Sequence, residues 1–471
     1  MFDFLKKSSK SAADKDDRKA EQYIRNVMTA TGWDYDCAKR EMLCAKKNFA
    51  VSYRDYDLHK FYRVSAVKQA AKNQEILKNR EVEKRRKRAA IRNVMEMTGW
   101  DKETAVREMD DAKQRIGISY RDYSRFAIFN FTKDEQEAAY RSALSKAAKR
   151  KERLEKKREK FIHEVMEATG WSYDEAVAHM DHATKISGAE YKDYVAFKFW
   201  EIPDELQATY FTKGDSNALR AKYNTSKKNT YCFMNKNEFN EIFSDYLGRP
   251  WSYNHDISLE EFTEKFKNER KIMYKPLSAS CGKGICAYDI TEESIKGVYE
   301  ELKELPLGIV EGYITQDPVV SQYSLNSVNT VRVVTVRKDD KVHLVFGVFR
   351  MAGGDAVVDN FHNGGVLAVV DIDTGEVVTD AVDVHGNKYI KHPCTDKVIK
   401  GFVIPRWEQV VDLLQKAGML VDGVGYVGWD VAITEKGPVL IEGNTAPAPI
   451  LLQLPYAAEH KGMKHKVTPF L

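Results

Sequence analysis

The sequence predicts an α+β C-terminal half preceded by an all-α array of three helical repeats joined by charged helices. Three observations carry that prediction. One pattern recurs three times ahead of residue 205, with a period of roughly seventy residues. Two long basic runs free of glycine and proline separate the copies, and beyond residue 206 apolar runs of strand length alternate with turn residues. The 471 residues suggest two or three domains, and a 43% hydrophobic share suffices for a sizeable core in the second half.

The repeats fall at about 20–64, 88–131 and 159–202. Their first halves read Ile24-Arg25-Asn26-Val27-Met28 to Trp33, Ile91-Arg92-Asn93-Val94-Met95 to Trp100, and Ile162-His163-Glu164-Val165-Met166 to Trp171. Their second halves carry Tyr53-Arg54-Asp55-Tyr56, Tyr120-Arg121-Asp122-Tyr123 and Tyr191-Lys192-Asp193-Tyr194. Within each copy Thr-Gly-Trp ends one helix, with glycine as the terminator, and Asp34 or Ser172 starts the next as an N-cap. In that next helix Ala38, Met42 and Ala45, and the matching sets Ala105, Met109, Ala112 and Ala176, Met180, Ala183, share one face. Such spacing points to core packing rather than to a ligand box.

Between the repeats, Val67 to Arg92 and Ser142 to Lys160 alternate Glu with Lys and Arg at helical spacing, which favours continuous solvent-exposed helices. Formal charge up to Leu206 is roughly +8 against about −4 for the remainder, within a total of +4. These helices are spacers, or they meet a protein or anionic partner: nucleic acid, acidic lipid or a polyanionic glycan. Aromatic interleaving is absent from them, so nucleic acid has little support.

In the second domain, 206–471, the strand Ile272-Met273-Tyr274-Lys275-Pro276 delivers a lysine, and Ser278 to Gly284 (SASCGKG) is a small-residue loop with a second. Residues without bulk let backbone N–H groups approach phosphate oxygens, and a lysine adds a point charge. The spacing is not GxxxxGK[ST], which argues against a Walker loop. Farther on, Val424 to Ile433 and Val439 to Ile441 read as adjacent buried strands with Lys436-Gly437-Pro438 as their turn. Paired so, Asp430, Glu442 and Asn444 lie close together, an oxygen-donor set that suits a hard cation such as Mg²⁺ with phosphates completing its shell.

A strand lysine, a Gly-Lys-Gly loop, the apolar run Leu307 to Ile314, then Asp430 and Glu442-x-Asn444 together resemble the ATP-grasp superfamily, over roughly Tyr210 to Leu471. More narrowly, Phe211-Thr212-Lys213, Lys222-Tyr223-Asn224, Asn235 to Asn240, Asn329-Thr330-Val331-Arg332 and Asn363-Gly364-Gly365 resemble the sugar-transfer-associated ATP-grasp group found among polysaccharide-biosynthesis genes. The resemblance implies two α+β subdomains clamping ATP. It implies that Lys236 and Lys275 meet the α-phosphate, that Ser280, Gly282, Lys283 and Gly284 form a lid over the outer phosphates, and that Glu311 offers a carboxylate to the ribose. Asp430, Glu442 and Asn444 would hold Mg²⁺ or Mn²⁺, and Arg332 and Arg350 are candidates for the transferred phosphoryl group.

The activity so implied joins a small-molecule, sugar or peptide carboxylate to an amine or hydroxyl through an acyl phosphate, releasing ADP and phosphate. Met351 to Gly365 (MAGGDAVVDNFHNGG) reads as an active-site loop. His362 is either a satisfied loop histidine or the group that positions or deprotonates the acceptor, with Asp359, Asn360 and Asn363 on substrate polar groups. Two departures from the family stand out: the arginine often found two residues beyond the metal asparagine is replaced by Ala446, and the domain ahead of the clamp is shrunken, since Asp204 to Tyr274 holds few strand-like runs. A kinase on the same clamp, or a binding scaffold gated by ATP, are the alternatives. Six cysteines without CxxC pairs fit a reducing cytoplasm, and no apolar run approaches membrane-spanning length.

Overall fold

The computed structural model describes residues 20–49, 51–277, 284–324, 327–353 and 364–471. Its packing divides into two compact units, Met1–Leu144 and Ser145–Leu471.

A single succession of elements occurs three times in the first two hundred residues. It runs α1 (20–31), α2 (Tyr35–Phe49) and α3 (Tyr53–Leu58); then α4 (Ala66–Thr98), α5 (Lys102–Ile116) and α6 (Tyr120–Arg125); then α7 (Gln136–Thr169), α8 (Tyr173–Ser187) and α9 (Tyr191–Ala196). Each short third helix is followed by a 3₁₀ turn. Helix ends are set locally. Gly32, Gly99 and Gly170 take φ of +76°, +74° and +74°, the left-handed cap that glycine adopts without a Cβ penalty. The threonine before each glycine donates to the carbonyl four residues back and accepts from the tryptophan N–H, so Thr-Gly-Trp closes one helix and aims the next. Asp34, Asp101 and Ser172 then cap α2, α5 and α8. Met42, Met109 and Met180 are buried at the centre of each module. A feature no sequence pattern announced is a buried glutamine that ties each 3₁₀ turn: Gln69 Nε2 donates to Val64 O, Gln136 Nε2 to Phe131 O and Gln207 Nε2 to Ile202 O. The charged runs lie within α4 and α7, helices of 33 and 34 residues that each carry the chain from one module into the next.

In the second unit the third module shares its hydrophobic core with the β-rich half. Ile162, Met180, Phe197 and Phe199 belong to one buried cluster with Tyr210, Leu367, Val382 and Ile450. Beyond it are two antiparallel sheets. The smaller has the order β1-β4-β2-β3, from β1 (Trp251–Tyr253), β2 (Lys271–Pro276), β3 (Cys286–Asp289) and β4 (Gly308–Gly312). Helices Leu259–Phe266 and Ile295–Glu304 cover it through Phe262, Phe266 and Leu302. The larger comprises β5 (Thr330–Lys338), β6 (Lys341–Met351), β7 (Val366–Val370), β8 (Ala381–Val382), β9 (Lys388–Tyr389), β10 (Tyr426–Thr434) and β11 (Gly437–Asn444), ordered β11-β10-β5-β6-β7-β8-β9. Helix Trp407–Ala417 packs on one of its faces, while Leu219 of helix Lys213–Tyr223 and Leu452 of helix Pro449–Ala457 pack on the other. That double cover explains why β10 is apolar at nearly every position rather than alternating.

One local expectation shifts. The turn between β10 and β11 is Glu435-Lys436, so Gly437 and Pro438 lie inside β11. As the edge strand, β11 tolerates a proline that cannot donate to a ladder.

Candidate active site

The larger sheet brings its acids and arginines together by register. Asp430 on β10 lies opposite Glu442 on β11 and opposite Arg332 on β5, so all three stand at one level of the sheet. A bulge between Asp430 and Val431 shifts the ladder just there. Arg332 forks onto the Asp430 carboxylate, Nε to Oδ1 at 2.6 Å and Nη2 to Oδ2 at 2.6 Å, and Arg350, at the end of β6, adds Nη1 to Oδ2 at 2.9 Å. Asp430 is buried, which alone would push its carboxyl up; the two guanidiniums overcome that and hold it at about 2. Glu442 is open by contrast, with its side chain 57% exposed. Its Oε1 accepts from Asn444 Nδ2 at 3.0 Å and stands 3.7 Å from Arg332 Nη2. Its carboxyl is raised, first by the protein crowded around it and then by the charge on Asp430.

Backbone clamps fix these strand ends. Asn224, from the Lys-Tyr-Asn motif, accepts from Gly425 and Tyr426 N–H and donates to Tyr426 O and Thr445 O, tying the start of β10 to the residue after Asn444. Asn329 donates to Gln316 Oε1 and Val320 O, which fixes the entry to β5 immediately before Thr330 and three residues ahead of Arg332. Behind the site, Phe233 packs edge to face on Phe239 and Trp429, Phe243 does so on Trp429, and the Phe239 and Phe243 rings meet at a 36° tilt. Gly443 is required there, since a Cβ would sit 2.7 Å from a Phe233 ring carbon.

The smaller sheet holds a second node. Lys275 on β2 and Glu311 on β4 are diagonal neighbours on one face, because Met273 pairs with Glu311 and Lys275 with Ile309. Glu311 Oε2 accepts from Lys275 Nζ at 3.1 Å and from Arg249 Nε at 2.6 Å. Burial would raise this carboxyl too, and the two cations bring it down to about 2. A carboxylate enclosed at 3% exposure holds its lysine in position; it is not open to a ribose, the part the resemblance gave it. Arg249, missed in the sequence, also donates Nη1 to Leu247 O and to Leu440 O of β11. Its partners lie 62 and 191 residues away, so no local pattern could have flagged it.

Lys236 links the two nodes. It opens helix Lys236–Ile242, and its Nζ donates to Pro276 O at 3.1 Å. Its ammonium is lowered from the ordinary lysine value by partial burial and then by the charge on Lys275, while Glu442 and Glu311 act on it in the opposite sense. Gly284, with φ +71°, lies in the connection from β2 to β3 next to Pro276. Ser280, Gly282, Lys283, His362 and Asn363 lie outside the described residues, as do Asp359 and Asn360.

A model of sugar-transfer associated ATP-grasp proteins matches residues 217–468, more than half of the chain. The chain belongs to this family. A search of curated proteins finds no match. Among solved structures, it is similar to the ATP-grasp ligase PsnB complexed with a phosphomimetic variant of minimal precursor, Mg and ADP, at 13% identity over 50% of this chain and 60% of that one, with a TM-score of 0.28. It is also similar to the D-alanyl-alanine synthetase A of Vibrio cholerae, at 12% identity over 57% and 66% with a TM-score of 0.28, and to the D-alanine–D-alanine ligase of Bacillus anthracis, at 13% over 54% and 73% with a TM-score of 0.31. This chain thus spans less than two thirds of the length of the first two, and likenesses so loose add nothing to the family match.

For the divalent metal of an ATP-grasp site, the donor set fits unevenly. Glu442 and Asn444 present an exposed carboxylate and an amide oxygen, and the repulsion between Glu442 and Asp430 is what a cation would relieve. An ionised carboxylate offers about four lone-pair sites. Asp430 gives three to arginine N–H groups, so it serves chiefly as the anchor of Arg332 and Arg350. Among the described residues no cluster of three or more His, Cys, Asp or Glu is set up for a metal, so the site depends on Asn444 and on oxygens a ligand brings.

Proposed function

We propose that the ATP-grasp domain is an ADP-forming ligase that joins a carboxylate, carried by a small molecule, a sugar or a peptide, to an amine or hydroxyl in or near the production of cell-surface polysaccharide. The observation that supports this most is Lys236, whose ammonium senses Lys275 and Glu311 of the smaller sheet and Glu442 of the larger one. The two nodes, which Arg249 ties together through Leu440 O of β11, hold three carboxylates and, with Lys236, five cations: Glu311, Asp430 and Glu442 with Lys236, Lys275, Arg249, Arg332 and Arg350. The surplus of positive charge suits a triphosphate, and the open Glu442 with Asn444 suits the Mg²⁺ or Mn²⁺ that accompanies it.

Bound ATP would supply the γ-phosphoryl that converts a carboxylate to an acyl phosphate, and the metal would neutralise charge on its outer phosphates. The chain's own part is orientation. Lys236 and Lys275 bind phosphate oxygens as point charges, with Lys275 steadied by Glu311. Arg332 and Arg350, fixed by Asp430 in a defined orientation at the sheet edge, receive the developing charge on the transferred group. Five free cysteines among the described residues support a reducing, cytoplasmic setting, and no described helix is long and apolar enough to cross a membrane.

The test incubates the full chain with ATP, Mg²⁺ and pooled carboxylate and amine metabolites, then reads ADP, phosphate and new masses together. The expected result is ADP and free phosphate in equal amounts alongside a condensed product, all abolished in Glu442→Ala. Phosphate retained on an acceptor would make the domain a kinase, and turnover that survives Glu442→Ala would remove the site from the chemistry.

A further inference from the structure

The N-terminal unit contains a groove that the ATP-grasp reading does not use. It has a cavity of about 990 Å³ bounded by α4 and by residues of α6, with His59, just past α3, at one end. Its walls carry eight lysines and arginines against three carboxylates. Several of the cations are already committed: Arg80 to the buried Asp55, Arg86 to Glu83 at 2.7 Å, and Lys87 over the ring of Tyr120 at 4.0 Å. Lys84, Lys113 and Arg121 line the groove with no carboxylate within salt-bridge distance among the described residues.

The repeat pattern shows how the groove arises. Asp55, Asp122 and Asp193 occupy one position in the three modules, and each satisfies it differently. Asp55 takes the guanidinium of Arg80, and Asp193 accepts the backbone N–H of Lys213 and of Glu190. Asp122 bonds to its own cap residue, Ser119, by side chain and backbone, interacts with Tyr140, and lines the groove. Among the described residues, the position that a guanidinium closes in the first module and backbone N–H groups close in the third has neither kind of partner in the second.

We propose that this groove binds an acidic peptide segment in extended conformation. The lining residues of α4 run from Lys72 to Lys87, about 22 Å at 1.5 Å per residue, which an extended peptide of about seven residues would span. Acidic side chains match Lys84, Lys113 and Arg121. Between them, peptide N–H groups can donate to Glu75 and Asp122, whereas the phosphate backbone of a nucleic-acid strand brings acceptors and no donors to those carboxylates. The one phenol, phenyl or indole ring in the lining, Tyr120, lies beneath Lys87 and is 7% exposed, so it offers no platform for a base.

The test uses the full chain and a fluorescent eight-residue polyglutamate peptide, with binding read by polarisation at low and physiological salt. The expected result is saturable binding that weakens as salt rises and falls at least about tenfold in Lys84→Glu with Arg121→Glu, a variant whose substituted side chains are exposed and whose helical circular dichroism should match the parent. Polyglutamine of equal length should not bind. Retained affinity in the double variant, absence of polyglutamate binding, or tighter binding of an eight-nucleotide thymidine strand would each overturn the proposal. Because ATP turnover is read separately on the same proteins and should be unchanged in the double variant, failure here is distinct from failure of the ligase reading.

Discussion

The two sheets of the ATP-grasp domain solve one problem twice and finish with opposite faces. Each buries a carboxylate between two cations, Glu311 between Lys275 and Arg249 on the smaller sheet and Asp430 between Arg332 and Arg350 on the larger, and each carboxyl is held at about 2. The smaller sheet then shows a lysine to solvent, with Lys275 at 20% exposure, whereas the larger shows a carboxylate, Glu442. The difference teaches that each sheet buries an acid as the anchor of two cations and leaves one outer group, cationic on one and anionic on the other, within reach of solvent.

Removing an anchor should have the largest effect. Asp430→Ala strands two guanidiniums whose side chains are only 10% and 12% exposed, and breaking a buried pair from one side costs about 3–5 kcal/mol; chemical denaturation should show that loss, and a change under about 1 kcal/mol would contradict the anchor role. Glu311→Ala should cost somewhat less, about 3 kcal/mol, because Arg249 keeps the Leu247 and Leu440 carbonyls and Lys275 can reach water. Thermal melting of the two variants side by side would rank them.

Acid should act on both anchors together. Each carboxyl lies lower in the folded chain than in an unfolded one, where such groups titrate near about 4. The stability they give is therefore complete above about pH 4 and is lost as pH falls through about 2. Asp430→Asn and Glu311→Gln should each flatten that acid limb in a fluorescence titration. A smaller loss, about 1–3 kcal/mol, is expected for Gly443→Ala, whose new methyl meets Phe233 between the anchor and the aromatic cluster. Glu442→Gln should leave stability within about 0.5 kcal/mol and abolish turnover, because its carboxylate is exposed and stands 3.7 Å from Arg332, whose guanidinium Asp430 already holds. A destabilisation equal to that of Asp430→Ala would erase the distinction between anchor and outer group.

Much of this was legible in the sequence where the signal is local. The apolar runs of β10 and β11 gave the strand pair, and their antiparallel pairing brings Asp430 opposite Glu442; the Thr-Gly-Trp repeats gave the helix ends. The superfamily motifs gave the fold, and the family match covers the same stretch. What the sequence could not yield depends on partners far apart in the chain: the fork of Arg332 onto Asp430, 98 residues away, and the bridge from Arg249 to Glu311 and Leu440. The resemblance gives Asp430 to a metal and Glu311 to a ribose, and neither assignment carries the cations that surround these acids. Burial and charge pairing, which no single position reveals, are what make them anchors.

The core shared by the third helical module and the larger sheet limits where this polypeptide can be trimmed. The family match begins at residue 217, yet Leu367, Val382 and Ile450 are covered from upstream by Ile162, Met180, Phe197, Phe199 and Tyr210. A fragment started at the motif boundary would lay that apolar surface bare and invite aggregation. Any shortened version intended for assay should therefore keep the chain from α7 onward, so that the ATP-grasp body retains the wall its own motif does not encode.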